Sequence, residues 1–244
     1  MAAPMLCKLI PFRCADKLLA ETWDDPGKRD DLADWPSPFR MVLIGPPGRG
    51  KSTAIKNTII HQSPPFTEVY VIHQDAARTK EYDDLEPTAL IADIPPGDFW
   101  SGLPACHEEP GPDGEAVPIK RAVVIDDLEF AKATTARLEN LGVLMRYAST
   151  HRGLSVMFSH QAFFHIPNIV VRMSEIFVLW RPSSRRELGA IEDRVGLPKG
   201  ELADIFEHVA KKPRDNVTVD LTPGTPAPLR LNLWEPIPSP GLAD

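Results

Sequence analysis

The apolar, β-branched run Arg40–Ile44 leads directly into Gly45-Pro-Pro-Gly-Arg-Gly-Lys51-Ser52, which fits the spacing G-x-x-x-x-G-K-[ST] at every position. Beyond Lys51 the pattern changes, with Ala54, Ile55, Thr58 and Ile59 recurring at helical spacing before Ser63-Pro64-Pro65. A buried strand, a glycine-rich loop and a helix in that order leave few folds open. Glycines let consecutive backbone N–H groups curl around phosphate oxygens, and the following helix presents its positive N-terminal end to them. Lys51 then reaches the β and γ oxygens, and the Ser52 hydroxyl is placed to ligate Mg²⁺. The segment predicts an ATP site contacted by Gly45, Pro46, Pro47, Gly48, Arg49, Gly50, Lys51, Ser52 and Thr53, with ATP and Mg²⁺ as cofactors.

Such a site needs a second acidic element. Arg121-Ala-Val-Val-Ile-Asp126-Asp127 is an apolar strand that delivers two carboxylates to its C-terminal end. Taken alone, the pair also reads as the acidic start of a helix. Downstream of a phosphate loop it reads as the metal-binding strand, with Asp126 in the Mg²⁺ shell and Asp127 as the general base that polarises the attacking water. Glu129 is the reserve base. An acid placed directly after the magnesium acid predicts a P-loop ATPase with an additional strand between the strand before the phosphate loop and the Asp126 strand, and the third strand and long insert at 88–118 are consistent with that.

The rest of the chain supports an α/β reading. Strands are expected at Glu68–His73, Thr88–Ala92, Leu154–Ser159 and Glu175–Trp180, with late strands at Val217–Leu221 and Leu229–Trp234. Ala76–Leu85 is expected as a charged helix or turn, and helices at Glu129–Tyr147, Ser183–Val195 and Lys199–Lys211. Residues 94–118, rich in Pro and Gly, read as a loop. Alternation of strand and helix predicts an ASCE-type P-loop NTPase fold: a mainly parallel sheet flanked by helices, with extra edge strands at the termini. One domain is expected over 1–235: N-terminal edge strands in 1–38, an ATPase core at 40–211 and late strands at 215–234. A loose Pro-rich tail at 236–244 completes the expected organisation. The 26 prolines are about twice the usual share and concentrate in these loops and in the C-terminal stretch.

Three cysteines, Cys7, Cys14 and Cys106, form no C-x-x-C pair and read as free thiols in a reducing compartment. No stretch approaches eighteen consecutive apolar residues, so no membrane span is expected. A net charge of −7 argues against coating nucleic acid by bulk electrostatics, though not against a ring that gathers a few cations in its pore.

The strand Leu154-Ser-Val-Met-Phe-Ser-His-Gln161 ends in an amide, which in this fold sits beside the phosphate loop. Gln161 is therefore a candidate phosphate sensor. Arg146, Arg152 and Arg172 flank the strand and are candidates for completing a neighbouring subunit's site. Arg181, Arg185 and Arg186 form a basic patch that reads either as a solvated helix start or as a contact to DNA.

Gly45–Thr53, Val123–Leu128, His151–Gln161 and Ile166–Arg172, followed by the strand Ile176–Trp180, together resemble one family. It is the viral genome-packaging ATPases, the poxvirus-type and PRD-type branch of the FtsK–HerA P-loop superfamily. The likeness spans roughly residues 40–220. It implies an ATP hydrolase that translocates DNA, read as double-stranded, into a preformed capsid. It also implies a homo-oligomeric ring, a hexamer or pentamer, with capsid or vertex proteins as further partners. The implied location is the host cell interior, in the cytoplasm or at the viral assembly site, or the virion vertex. By the same likeness Gln161 is the phosphate sensor, and Arg146 or Arg152 is the finger acting in trans. The family often places arginine before histidine in this block, whereas this chain has His151 before Arg152. Two other classes fit the phosphate loop alone: a AAA+-type protein remodeller or helicase loader, which predicts an all-helical lid after residue 183, and a small-molecule kinase.

Overall fold

The structure, a computed structural model, describes residues 35–77, 80–104, 109–110, 116–117, 119–182 and 184–238. The three cysteines and most of the expected N-terminal edge strands lie outside these residues. The strands are β1 Arg40–Ile44, β2 Glu68–His73, β3 Ala89–Ile91, β4 Glu109–Pro110, β5 Ala116–Val117, β6 Arg121–Asp126, β7 Leu154–His160, β8 Ile176–Trp180, β9 Asn216–Asp220, β10 Leu229–Leu231 and β11 Glu235–Pro236. The helices are α1 Lys51–Ile60, α2 Gly97–Ser101, α3 Thr135–Val143, α4 Asn168–Met173, α5 Arg185–Val195 and α6 Glu201–His208. Nine strands form one sheet in the order β11-β10-β9-β8-β1-β7-β6-β2-β3. The members from β8 to β3 run parallel, and β9, β10 and β11 extend the sheet antiparallel. β7 lies between β1 and β6, the additional strand that the paired acids predict.

The central strands are largely apolar and buried because both faces are covered. Side-chain alternation divides them between two cores. Val42, Ile44, Val123, Ile125, Val156, Phe158, Phe177 and Leu179 pack with Leu141, Val170, Ile191 and Leu202 from α3, α4, α5 and α6. Met41, Leu43, Val71, Val124, Met157 and Val178 face the other way, onto Ala54, Ile55 and Ile59 of α1 and onto Trp35, Phe39 and Tyr82. Parallel register brings the C-terminal ends of the strands to one edge: Ile44 pairs with His160 and Leu179, and Asp126 pairs with Ser159 and His73.

Several local expectations are corrected. The helix expected over Glu129–Tyr147 starts only at Thr135, capped by the Thr134 hydroxyl accepting from Arg137 N–H, and widens into a π-turn at Leu144–Ala148. Residues 127–134 stay irregular. The Glu129 carboxylate accepts from Ala131 N–H, and Arg137 bridges the Glu129 carbonyl and the Asp93 carboxylate. The 94–118 loop carries α2 and the β4–β5 hairpin. Of the segment expected as a charged helix or turn, the described residues 76–77 and 81–82 are turn and Asp83–Leu85 is a short 3₁₀ turn, which agrees with the second alternative. The last expected strand stops at Leu231, because Asn232 and Leu233 take positive φ angles of 52° and 79°. Pro236, the first residue of the expected loose tail, instead pairs with Arg230 in the sheet, and Ile237 belongs to the core. Residues 239–244 lie outside the described set.

Candidate nucleotide-binding site

The phosphate loop connects β1 to α1 across the C-terminal edge of the sheet. Gly45 N–H donates to the His160 carbonyl at 3.2 Å, which fixes the loop's start beside β7. A Cβ at Gly45 would stand 2.6 Å from Trp180 Cβ, so only glycine permits this close approach to β8. At the other end of the loop Gly50 has φ 101°, a conformation that L side chains rarely adopt. Gly50 is also the N-cap of α1 and supplies no side-chain cap, so the first-turn amides point out of the helix unclaimed by one.

Lys51 is buried, and its Nζ donates to the Gly45 and Pro46 carbonyls at 2.8 and 3.2 Å. Burial pushes the Lys51 pKa below the usual lysine value. The negative charges of Asp127, Asp126 and Glu81 oppose that shift and hold the cation. β6 brings Asp126 opposite the loop, with the Ser52 hydroxyl 3.5 Å from Asp126 Oδ2. A helix-N-terminal hydroxyl beside a strand-end carboxylate is a hard-oxygen donor set that fits Mg²⁺. Asp127 takes φ 51°, and Asp126 and Asp127 both line one cleft.

The cleft has a volume of about 520 Å³, a size usual for small-ligand sites. Its walls hold residues 47–53 of the loop, Asp126 and Asp127. They also hold residues that motif reading passed over: Asn57, Glu81, Arg214, Asn216, Asn232 and Trp234. A further missed residue is Tyr82, fully buried, whose hydroxyl donates to Asp126 Oδ2 at 2.6 Å. Burial, with the Asp126 charge next, raises the Tyr82 pKa far above the ordinary phenol value, so the group remains a donor. No spacing rule connects Tyr82 to Asp126; its only sequence signal is an aromatic residue in an otherwise charged turn.

The remaining expected residues are placed as follows. Glu129 is exposed on the 127–134 loop, outside the cleft wall, and the Ala131 N–H lowers its pKa. Gln161 follows the His160–Gly45 contact, exposed on the flank of the loop rather than in the cleft wall. Arg152 sits at the opposite end of the sheet, before the start of β7, and its Nε and Nη2 donate to the Ser101 carbonyl at 3.1 and 2.8 Å. Arg146 is exposed on the π-turn that leads to the same end. At about 3.3 Å rise per residue, β7 alone separates Arg152 from the cleft by roughly 20 Å.

Fold and site together define a P-loop NTPase of the kind with an additional strand between the loop strand and the acidic strand. Among solved structures the chain is similar to the genome-packaging NTPase B204 from Sulfolobus turreted icosahedral virus 2 in complex with AMPPCP. They share 16% identity over 84% of this chain and 99% of that one, with a TM-score of 0.52. It is likewise similar to the DNA-packaging ATPase B204 from Sulfolobus turreted icosahedral virus, at 16% identity, 83% and 99% coverage and a TM-score of 0.52. At such identity the likeness is one of fold. No family model and no curated protein matches the chain.

Proposed function

We propose that this chain is an ATP-driven DNA translocase that packages a viral genome into a preformed capsid, working as a homo-oligomeric ring. The observation that carries the reading is the convergence of Lys51, Ser52, Asp126 and Asp127 on one cleft, in a fold similar to B204. The resemblance of the His151–Gln161 block to the packaging family supports the DNA and capsid part.

The loop amides and Lys51 bind the β and γ phosphates and orient the terminal phosphoryl group. Ser52 and Asp126 are the residues that would hold Mg²⁺, which when bound neutralises phosphate charge. Asp127, in the cleft lining, orients the attacking water and accepts its proton. Gln161 on the flank of the loop is the phosphate sensor of this reading. Arg146 and Arg152 stand too far from their own cleft to serve it, so their proposed action is on a neighbouring subunit. Of the two, Arg146 is exposed, whereas Arg152 is committed to Ser101.

The AAA+ alternative expects a helical lid after residue 183. Instead, α5 and α6 return to the sheet through β9, β10 and β11. The test is ATP hydrolysis with and without double-stranded DNA, on the wild type and on Asp127→Asn. Stimulation by DNA is expected, with a loss of about 10²–10⁴-fold in the variant while nucleotide binding persists. Hydrolysis indifferent to DNA removes the translocase reading, and a fully active variant removes Asp127 as the base.

A further inference from the structure

The phosphate loop and the acids account for only one end of the cleft. The other end is built by the antiparallel extension, through Asn216 at the start of β9 and Asn232, Leu233 and Trp234 between β10 and β11. These residues lie far from the loop in sequence, and motif reading gives them no role.

The turn that carries them is unusual. Asn232 and Leu233 both have positive φ, and Leu233 is a bulky side chain, 2% exposed, in a conformation that normally selects glycine. Such geometry survives only where its surroundings hold it. Here Asn232 N–H donates to the Asn216 carbonyl at 3.0 Å, and Asn216 N–H donates back to Asn232 Oδ1 at 3.2 Å. Arg230 Nη1, buried beneath, donates to the Leu233 carbonyl at 3.4 Å. The result keeps Trp234 in the cleft wall, partly exposed, with the His61 ring edge-on to it at 5.6 Å. On the neighbouring strand the Trp180 indole N–H holds the Arg214 carbonyl at 3.1 Å, which brings residue 214 to the same wall.

We infer that this wall is the nucleoside subsite, with the base of the nucleoside triphosphate stacked on Trp234. The inference rests on the nucleotide reading of the phosphate loop. A partly exposed indole beside a buried aliphatic group suits a flat heteroaromatic ring better than a phosphate. The two ends of the cleft therefore divide the ligand: polyphosphate to Gly48–Ser52, nucleoside to the β9–β11 extension. The extension thus has a binding role as well as covering the sheet edge, and its non-glycine turn presents the indole.

The test compares MgATP with magnesium tripolyphosphate, which carries the phosphates and lacks the nucleoside. Affinities are measured by calorimetric titration of the full chain and of Trp234→Ala, Trp234→Phe and Lys51→Ala. Trp234→Ala is expected to weaken ATP about 5- to 100-fold and to leave tripolyphosphate within about twofold, with Trp234→Phe recovering most of the loss. Lys51→Ala is expected to weaken both ligands, and its failure to do so would count against the phosphate loop rather than the subsite. Equal losses of ATP and tripolyphosphate in Trp234→Ala, or no loss of ATP, overturn the subsite. Should Trp234→Ala not fold, hydrogen exchange on the wild type decides: ATP, and not tripolyphosphate, must slow the amides of residues 232–234.

Discussion

Tyr82→Phe isolates one hydroxyl. The ring is fully buried in the core between α1 and the sheet, and phenylalanine fills the same space without opening a cavity. What is lost is the 2.6 Å bond to Asp126 Oδ2 on a carboxylate only 3% exposed, whose other contact, the Ser52 hydroxyl, stands at 3.5 Å. A hydrogen bond to a charged group contributes about 1.5–3 kcal/mol. For a domain of this size each kcal/mol moves the melting temperature by about 2–4 °C, so the variant should melt roughly 3–12 °C lower. The same bond fixes the carboxylate's orientation toward Ser52, and loss of such a supporting contact typically costs about 10–100-fold in metal affinity or activity. The assays are thermal unfolding without nucleotide and the Mg²⁺ dependence of ATP hydrolysis. The half-activating Mg²⁺ concentration should rise by about tenfold or more. A drop in melting temperature with an unchanged Mg²⁺ profile makes Tyr82 a packing residue alone. No change in either measurement refutes the reasoning.

Two other perturbations follow from the same geometry. In Gly45→Ala the new methyl group meets Trp180 Cβ at 2.6 Å, and Trp180 is buried and tied to Arg214, so the loop start must move. A stability loss of about 1–3 kcal/mol with weakened ATP binding is expected in denaturant and nucleotide titrations, and an unperturbed variant would show that β8 yields. Burial, aided by the charge of His165, holds the His160 pKa below its ordinary 6.5, against the opposing pull of the Ala162 carbonyl, Glu129 and Asp127. As pH falls below 6.5 the unfolded chain takes up a proton that the folded one refuses, so stability falls until the depressed native pKa is reached. His160→Gln should flatten this part of the urea-midpoint profile between about pH 7 and 5, and a slope equal to the wild type's would exclude His160 as its source.

Amino-acid order alone determines what depends on neighbours along the chain. Arg40–Ser52 is legible because strand, loop and helix are consecutive and each glycine has a local steric purpose. Val123–Asp127 is legible because a strand buried on both faces is apolar throughout and its acids sit at one end. The place of β7 between β1 and β6 is only half legible: the paired acids predict an additional strand there, but the segment 88–118, read as consistent with it, supplies β3 at the sheet edge instead. Element ends are less legible: Thr134 capping α3 and the positive φ of Asn232 depend on contacts that pattern does not carry.

Only the tertiary structure decides what meets across the sheet. Tyr82 reaches Asp126 because the turn after β2 folds back over α1. Arg152 looks from the sequence like a neighbour of the phosphate strand. Yet it precedes β7, and in a parallel sheet the residue before a strand and the residue after it lie at opposite edges. Trp234 comes to the cleft because β9, β10 and β11 add to the sheet beside β8, a pairing fixed by backbone hydrogen bonds between distant segments. Phosphate recognition is written in a contiguous loop because backbone amides and one lysine suffice for it. Recognition of the rest of the ligand needs side chains at some distance from that loop, and folding assembles them from wherever the chain passes.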